Sequence, residues 1–251
     1  QYRLAIKKDK EAKEAYLYLG ALLTEQKKYG EAIEVFKGLA KDSQYESQHL
    51  AYFYLARVYV EKGDKKSAEV NFTKALSLKP NFTEGVVALG LYYESEKETK
   101  RAVKLFESYQ DKHGPNEKVA EQLARLYLED EQYQKAYDQL DIVVSSDPEN
   151  LNARVKLALV LIELKDYKKA VMRLKEILAQ APDSDKIRFF LGAVYEEVKD
   201  YQSAITQFNV LTPNSSYYVE AMVHSSYLYK LQNDYPSAIA TIEKAIELRP
   251  D

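Results

Sequence analysis

The side chains that most often act as nucleophiles, proton carriers or metal ligands are scarce in this chain. It has no cysteine and only three histidines, which are His49, His113 and His224. None of the histidines has a partner at the spacing of a zinc or catalytic motif. The absence of thiols removes disulfides and thiolate ligands together. The sequence therefore predicts no catalytic residue, no metal site and no cofactor site.

Serine and carboxylate side chains are more numerous, but their arrangement does not indicate catalysis. Neighbouring serines such as Ser145 and Ser146, or Ser215 and Ser216, fall near helix ends or in loops without a base placed beside them. No glycine-rich phosphate-binding motif occurs. Asp and Glu number 39, so paired carboxylates arise by chance on a charged helical surface. We predict that this segment is not an enzyme; the alternative is a regulatory segment of a larger enzyme.

The composition of the chain argues against two classes of partner, nucleic acids and membranes. Charged residues make up 30% of the 251 residues, but the net charge is only −3, whereas nucleic-acid binding usually needs a basic excess. The longest apolar runs, residues 50–56 and 157–162, are far shorter than the roughly 18 residues that span a bilayer. We therefore predict no nucleic-acid partner and no direct membrane insertion. The composition does not distinguish between cytoplasm and periplasm as the compartment, and its richness in lysine and tyrosine suggests a bacterial source.

The most regular feature of the chain is a recurring alanine. After a first interval of 36 residues it returns every 34 residues. A fixed period of this size is typical of a repeat array, in which each repeat is a helix pair that buries its apolar face by stacking on its neighbours. The alanines are Ala32, Ala68, Ala102, Ala136, Ala170, Ala204 and Ala238.

With this alanine at position 20 of each repeat, small residues also recur at position 8 and large ones at positions 7, 11 and 24. The small residues allow the two antiparallel helices of a repeat to approach closely, and the large ones fill the space around their contact. Position 7 is leucine in six repeats and Ser225 in the last. Position 8 is Gly20, Ala56, Gly90, Ala124, Ala158, Gly192 and Ser226, and position 24 is Phe36, Phe72, Phe106, Leu140, Leu174, Phe208 and Ile242.

Helix ends are marked by aspartate and proline. Aspartate at position 16 predicts an N-cap for the second helix of a repeat, and proline at position 32 predicts its end. Pro213 comes early, at position 29, which predicts a shortened helix. The aspartates are Asp64, Asp166, Asp200 and Asp234, and the regular prolines are Pro80, Pro148, Pro182 and Pro250.

These columns resemble the pattern of the tetratricopeptide repeat family over essentially the whole chain. The resemblance implies an all-α fold, a right-handed superhelical solenoid of antiparallel helix pairs. We predict a single solenoid domain, preceded at residues 1–12 by the tail helix of a truncated upstream repeat. Its seven repeats are residues 13–48, 49–82, 83–116, 117–150, 151–184, 185–218 and 219–251.

The same resemblance implies that the first helix of each repeat lines a concave groove through positions 2, 5, 6, 9 and 12. Positions 5 and 9 are mostly apolar, except in the middle repeat, so we expect an apolar groove with a polar centre and with Phe53, Phe189 and Tyr227 as anchors. The alternative is that position 5 only completes the core. The expected groove residues are Phe53, Tyr54, Arg57, Val87, Leu91, Lys118, Glu121, Gln122, Arg125, Val155, Leu159, Phe189, Phe190, Val223 and Tyr227.

A column of glutamates follows the groove positions. Its plainest interpretation is a solvated stripe paired with neighbouring lysines; the alternative is a ladder of charge that favours a basic partner. The column is Glu25, Glu61, Glu129, Glu163 and Glu197 at position 13, with Glu94 and Glu196 at position 12.

The function predicted from these features is a non-enzymatic scaffold or adaptor in a multiprotein assembly, which captures an extended peptide or an amphipathic helix. The partner is a protein or peptide. In the family's carboxylate clamp, lysine stands at position 5 and asparagine at position 9; no repeat here has either, so we predict against binding of chaperone tails. The alternative is a structural module whose uncapped ends stack into a homo-oligomer.

Overall fold

The computed structural model describes residues 13–248, and within that range the chain forms fourteen α-helices and no β-strand. The tail helix predicted at residues 1–12 lies outside the described residues. The helices are α1 (Lys13–Glu25), α2 (Tyr29–Lys41), α3 (Gln48–Lys62), α4 (Lys65–Leu78), α5 (Thr83–Ser95), α6 (Thr99–His113), α7 (Glu117–Glu129), α8 (Tyr133–Ser146), α9 (Leu151–Glu163), α10 (Tyr167–Gln180), α11 (Asp185–Glu197), α12 (Tyr201–Phe208), α13 (Tyr218–Leu231) and α14 (Tyr235–Leu248).

The chain divides into two compact units, residues 1–123 (unit 1) and residues 124–251 (unit 2). In unit 1, the core of the first two helix pairs includes Phe36 and Leu55. In unit 2, Leu174, Phe208 and Leu228 belong to one continuous cluster. In both units a first helix packs on the second helix of its own pair and on the pair before it. The all-helical fold predicted from the period is therefore confirmed.

The aspartate caps predicted at position 16 are confirmed. Each aspartate carboxylate accepts a hydrogen bond from the backbone N–H three residues later, at 3.1 to 3.2 Å. These bonds satisfy one of the N–H groups that a helix start leaves unpaired. The capping bonds also hold the pKa of Asp64, Asp166 and Asp234 below its usual value, because the backbone and side-chain donors stabilise the charged carboxylate. The capping aspartates are Asp64, Asp166, Asp200 and Asp234.

The predicted effect of the early proline is also confirmed. Helix α12 has eight residues and ends at Phe208, five positions before Pro213. The segment that follows does not leave the core open, because Leu211 turns inward and is buried.

The turn inside every helix pair has the same backbone conformation, which the residue types did not indicate. Position 15 has a positive φ in all seven pairs: 79° at Gly63 and between 55° and 64° at the six other residues. This left-handed residue lets the turn close with two hydrogen bonds; for example, the N–H groups of Lys165 and Asp166 donate to the carbonyls of Ile162 and Leu161. The six non-glycine residues are Lys27, Lys97, Glu131, Lys165, Lys199 and Asn233.

The two small columns lie where the sequence places them, at the crossing of the two helices of a pair. The phenylalanine at position 24 rests directly on the backbone at position 8. A Cβ added to Gly192 would lie 2.5 Å from Phe208 Cε1, and a Cβ on Gly90 would overlap the Phe106 ring even more deeply. Both rings are fully buried. Other pairs have alanine at position 8 and leucine at position 24, such as Ala158 with Leu174. In these pairs a larger residue at position 8 faces a smaller one at position 24.

Tyrosine at position 11 contributes to packing and to contacts between successive pairs. Tyr93 is 7% exposed, and its hydroxyl donates to Glu69 on α4 at 3.2 Å. The Arg101 guanidinium lies 4.1 Å from the Tyr93 ring centroid and pairs with both Glu69 and Glu98. Burial and then the charge of Glu69 raise the pKa of Tyr93 to about 12, so this tyrosine is neutral at physiological pH.

The first prediction concerns the contact between positions 8 and 24. We expect Gly90→Ala to lower the free energy of unfolding by about 1–3 kcal/mol, because the new Cβ overlaps the buried Phe106 ring. The control is Gly38→Ala, since Gly38 lies in the middle of α2 with open space where a Cβ would stand; it should stabilise by about 0.5–1 kcal/mol. Urea denaturation measures both. Equal stability of Gly90→Ala and the parent would contradict the contact.

The second prediction concerns the turn. We expect Lys165→Gly to raise the free energy of unfolding by about 1 kcal/mol, because glycine adopts the left-handed conformation without steric cost. The same exchange at Lys168, inside the first turn of α10, should instead destabilise by about 1 kcal/mol. Thermal and urea denaturation of the two variants compare them. Destabilisation at both positions would show that the backbone strain at Lys165 is negligible.

Candidate functional site

Unit 1 has a cleft of about 610 Å³ between the first helices α1 and α3. Its apolar surface comes from positions 5 and 9 of α1, which are Leu17 and Ala21, together with Val58 of α3. Tyr18 and Tyr54 stand at position 6 of the two helices and also line it. The cleft is therefore formed by the helix faces that the resemblance assigned to a groove.

Tyr54 and Arg57 are the predicted groove residues found in this cleft. The Tyr54 ring stacks on the buried Phe36 ring, with centroids 5.4 Å apart, so the core holds it in place. The Arg57 guanidinium lies 5.9 Å from the centroids of both Tyr54 and Phe53. Within residues 13–248, Arg57 forms no ion pair. It is an exposed residue, and its charged group lies beside the rings of Tyr54 and Phe53.

Unit 2 has a cleft of about 420 Å³ formed by three first helices, α9, α11 and α13. We call it the acidic cleft. Its floor is apolar and includes Leu159 and Phe190 of the predicted groove, beside other aliphatic side chains. Its ionisable lining comes from positions 6, 12 and 13. The lining residues are Leu159, Ile162, Glu163, Phe190, Ala193, Val194, Glu196, Glu197 and His224.

Two polar contacts hold side chains of the acidic cleft in place. His224 Nδ1 and Glu196 Oε2 are 2.7 Å apart, and the His224 ring lies against the core ring of Phe208, with centroids 5.5 Å apart. The Tyr167 hydroxyl donates to Glu197 at 3.4 Å. Burial, followed by the charge of Glu197, raises the pKa of Tyr167. The pair of Glu196 and His224 bridges α11 and α13, so it orients the two helices that flank the cleft.

The other groove residues predicted in unit 1 are dispersed. Phe53 is half-buried and meets Phe72 and Phe82 edge-on, so it contributes mainly to packing. Val87 is half-buried and Leu91 is exposed on α5. The polar residues of α7 in unit 1 lie at the surface: Lys118 pairs with Glu84 at 3.0 Å, Glu121 is exposed and Gln122 is half-buried.

In unit 2 the structure contradicts the prediction that Phe189 is an anchor of the groove. Phe189 is 7% exposed and belongs to the core, where its ring stacks on Tyr217 at 5.2 Å. It is not an accessible anchor; here the alternative, that position 5 completes the core, is what the structure shows. Val155 lines a separate depression beside Ile177, and Val223 and Tyr227 line another beside α14.

The charge column also differs from its plainest interpretation. Only Glu129 among the position-13 glutamates forms an ion pair with another described residue, Arg125 on the same helix. Glu25, Glu61 and Glu163 have neither an ion pair nor a hydrogen bond within the described range. Among residues 13–248, therefore, these three glutamates do not have the lysine partners expected from the sequence.

Sequence reasoning missed several cleft residues. Tyr18 is 58% exposed and lines the unit-1 cleft, and Ile162 and His224 line the acidic cleft. These three residues could have been predicted from the sequence, because they occupy positions 6 or 12 of their repeats, which the resemblance already assigned to the groove. We found no group of three or more His, Asp or Glu residues between positions 13 and 248 that is arranged to hold a metal ion. In the same range, no helix combines the length and hydrophobicity that crossing a bilayer requires.

Solved structures with the same fold include several helical repeat proteins. YrrB, described as a TPR protein with an unusual peptide-binding site, shares 20% identity at a TM-score of 0.60, over 72% of this chain and 93% of its own. MamA from Desulfovibrio magneticus RS-1 shares 18% at 0.55, over 66% and 93%. A tetratricopeptide repeat protein from Parabacteroides merdae shares 14% at 0.53, over 94% and 93%. At these identities the likeness concerns the fold.

Sequence families give the more specific result. No curated protein matches the chain. Family models described as "Tetratricopeptide repeat" match residues 1–47, 49–82 and 219–251. A model described as "Anaphase-promoting complex, cyclosome, subunit 3" matches residues 140–211. The repeat matches fall at both ends of the chain and include the columns analysed above. This chain belongs to the tetratricopeptide repeat family.

Proposed function

We propose that this protein is an interaction scaffold that captures an extended peptide or an amphipathic helix of a partner protein. The observation that carries the proposal is the unit-1 cleft between α1 and α3. Its volume, about 610 Å³, falls in the range of ligand sites in proteins. Its lining extends from Glu14 to Glu25 on α1 and from Tyr54 to Glu61 on α3, so it follows several helical turns and suits a chain segment better than a compact small molecule.

The side chains in this cleft are of the types that dominate binding energy at protein interfaces. Tyrosine and arginine are enriched at such hot spots. Tyr54 is held by stacking on Phe36, so it loses little conformational entropy when a partner binds. Arg57 offers next to these rings a guanidinium that no carboxylate of residues 13–248 pairs with. Aromatic surface and a free charge together support binding of a peptide that combines apolar and polar groups.

The family and its structural relatives agree with this proposal. A repeat array exposes helix faces that can bind extended partners without forming an enclosed catalytic pocket. YrrB, which shares the fold, is described as having a peptide-binding site. We propose on this basis that the chain acts within a multiprotein assembly, with a peptide segment of another protein as its ligand.

The third prediction tests the unit-1 cleft with peptides. We expect the full chain to select related sequences from a phage-displayed random peptide library. Arg57→Glu and Tyr18→Ala should each weaken binding of a selected synthetic peptide by at least about tenfold, because each removes a hot-spot side chain. Fluorescence anisotropy with the labelled peptide measures the affinity, and circular dichroism checks that each variant is folded.

The matched controls are Arg173→Glu on α10 and Tyr235→Ala on α14. Both side chains lie on second helices of unit 2 and neither lines the unit-1 cleft, so binding should stay unchanged. Enrichment of no peptide, or equal binding by cleft and control variants, would argue against this cleft as the site. Concentration-dependent mass in light scattering, unaffected by either cleft variant, would favour self-association instead.

A further inference from the structure

From the acidic cleft of unit 2, we infer that the peptide bound there is basic and amphipathic. One of its apolar side chains enters the cleft, and adjacent lysine or arginine side chains meet Glu163 and Glu197. This inference rests on the proposed function, because it names the chemical class of peptide that the scaffold takes at this second position.

The floor of the acidic cleft is suited to an apolar side chain. Leu159 on α9 and Phe190, Ala193 and Val194 on α11 form it, at half-buried or buried positions. The small side chain of Ala193 leaves the depression between the larger Leu159 and Phe190. A volume of about 420 Å³ accommodates one or two aliphatic or aromatic side chains, and covering such a surface is favourable by the hydrophobic effect.

The rim of the cleft carries negative charge that the described residues do not neutralise. The lining contains three carboxylates and neither lysine nor arginine. Glu163 has no ion pair or hydrogen bond within the described range, and Glu197 accepts only from the neutral Tyr167 hydroxyl. The third carboxylate, Glu196, is bound to His224. Two carboxylates therefore remain for a ligand.

Three lysines of α10 and α11 make contacts other than with Glu163 and Glu197. Lys169 pairs with the capping Asp166 at 2.9 Å. The ammonium group of Lys175 lies 5.5 Å from the Tyr195 ring centroid, and that of Lys186 lies 6.0 Å from the Phe190 ring centroid. None of the three lines the cleft. Among residues 13–248, therefore, no lysine or arginine forms an ion pair with Glu163 or Glu197, although Lys186 lies beside the floor residue Phe190.

Charge complementarity selects the ligand class. Glu163 and Glu197 are exposed at the rim of this apolar floor, so lysine or arginine side chains of a ligand can reach them, and each contact adds a modest, salt-dependent attraction. The two glutamates also repel an acidic peptide at the same place. The unit-1 cleft differs, since Arg57 and Lys27 accompany its glutamates. The preference for basic peptides therefore belongs to the acidic cleft.

The test uses the full chain and three synthetic peptides of equal length. The first contains leucines spaced among lysines, the second has glutamate in place of every lysine, and the third has serine in place of every leucine. We expect the first to bind at least about tenfold more tightly than the other two. Its affinity should also fall as NaCl is raised from about 0.05 M to about 0.5 M. Isothermal titration calorimetry gives each Kd.

Two double variants locate the effect. Glu163→Gln/Glu197→Gln removes the free carboxylates of the cleft and should weaken the leucine–lysine peptide about tenfold and flatten its salt dependence. Glu243→Gln/Glu247→Gln makes the same charge change on exposed residues of α14, outside the cleft, and should leave Kd near that of the parent. Circular dichroism confirms that both variants fold.

Three results would overturn the inference. Equal binding of the leucine–glutamate peptide would show that charge does not select the ligand, while peptide capture itself would stand. Equal loss in the two double variants would show that net charge of the whole protein, and not the cleft, attracts the peptide. Binding of none of the three peptides would overturn this inference alone if the phage library still yields ligands, and the proposed function as well if it does not.

Discussion

The close crossing of the two helices in each pair is the contact on which the rest of the structure depends. It requires a small residue at position 8 so that the large residue at position 24 can rest against backbone, as Phe208 does on Gly192. A phenylalanine in this place is completely removed from water, and burial of such a ring contributes on the order of 2–3 kcal/mol. A small residue at position 8 opposite a larger one at position 24 recurs in every pair, in the form of glycine with phenylalanine in three of them, and it allows the two helices to approach closely.

This packing also determines which positions of the first helix face the surface. Once position 24 and position 11 face inward, positions 6, 9, 12 and 13 of the first helix must point away from the core. In unit 1 they bring Tyr18, Tyr54 and Arg57 around one cleft. In unit 2 they bring Leu159, Phe190 and the glutamates around another. The clefts are therefore consequences of the same helix geometry, and their different side chains make them different sites.

Polar interactions fix helix ends and the orientation of neighbouring helices, whereas the packing of the helix pairs comes from the apolar contacts. The aspartate caps begin the second helices, and the pair of Glu196 and His224 joins two first helices. The exposed ion pairs contribute little to stability, as is usual for solvated charges. More informative are the carboxylates that form no ion pair within residues 13–248, such as Glu163, because an unneutralised charge beside an apolar surface is a feature that a ligand can use.

The helix pairs, their caps and the core columns could be predicted from residue types and spacing, because a period of 34 residues with small residues at fixed positions indicates helix pairs that bury their apolar faces by stacking. Residue types and spacing did not determine which neighbouring side chain reaches the surface. Phe189 and Phe190 are adjacent and chemically identical, yet one is in the core and the other lines a cleft. Only the rotation of α11 against its neighbours decides between them. Nor did residue type indicate the left-handed turn residues, since six of the seven are not glycine. The lack of an ion pair at Glu163 within residues 13–248 depends on distances between helices that residue types alone do not encode.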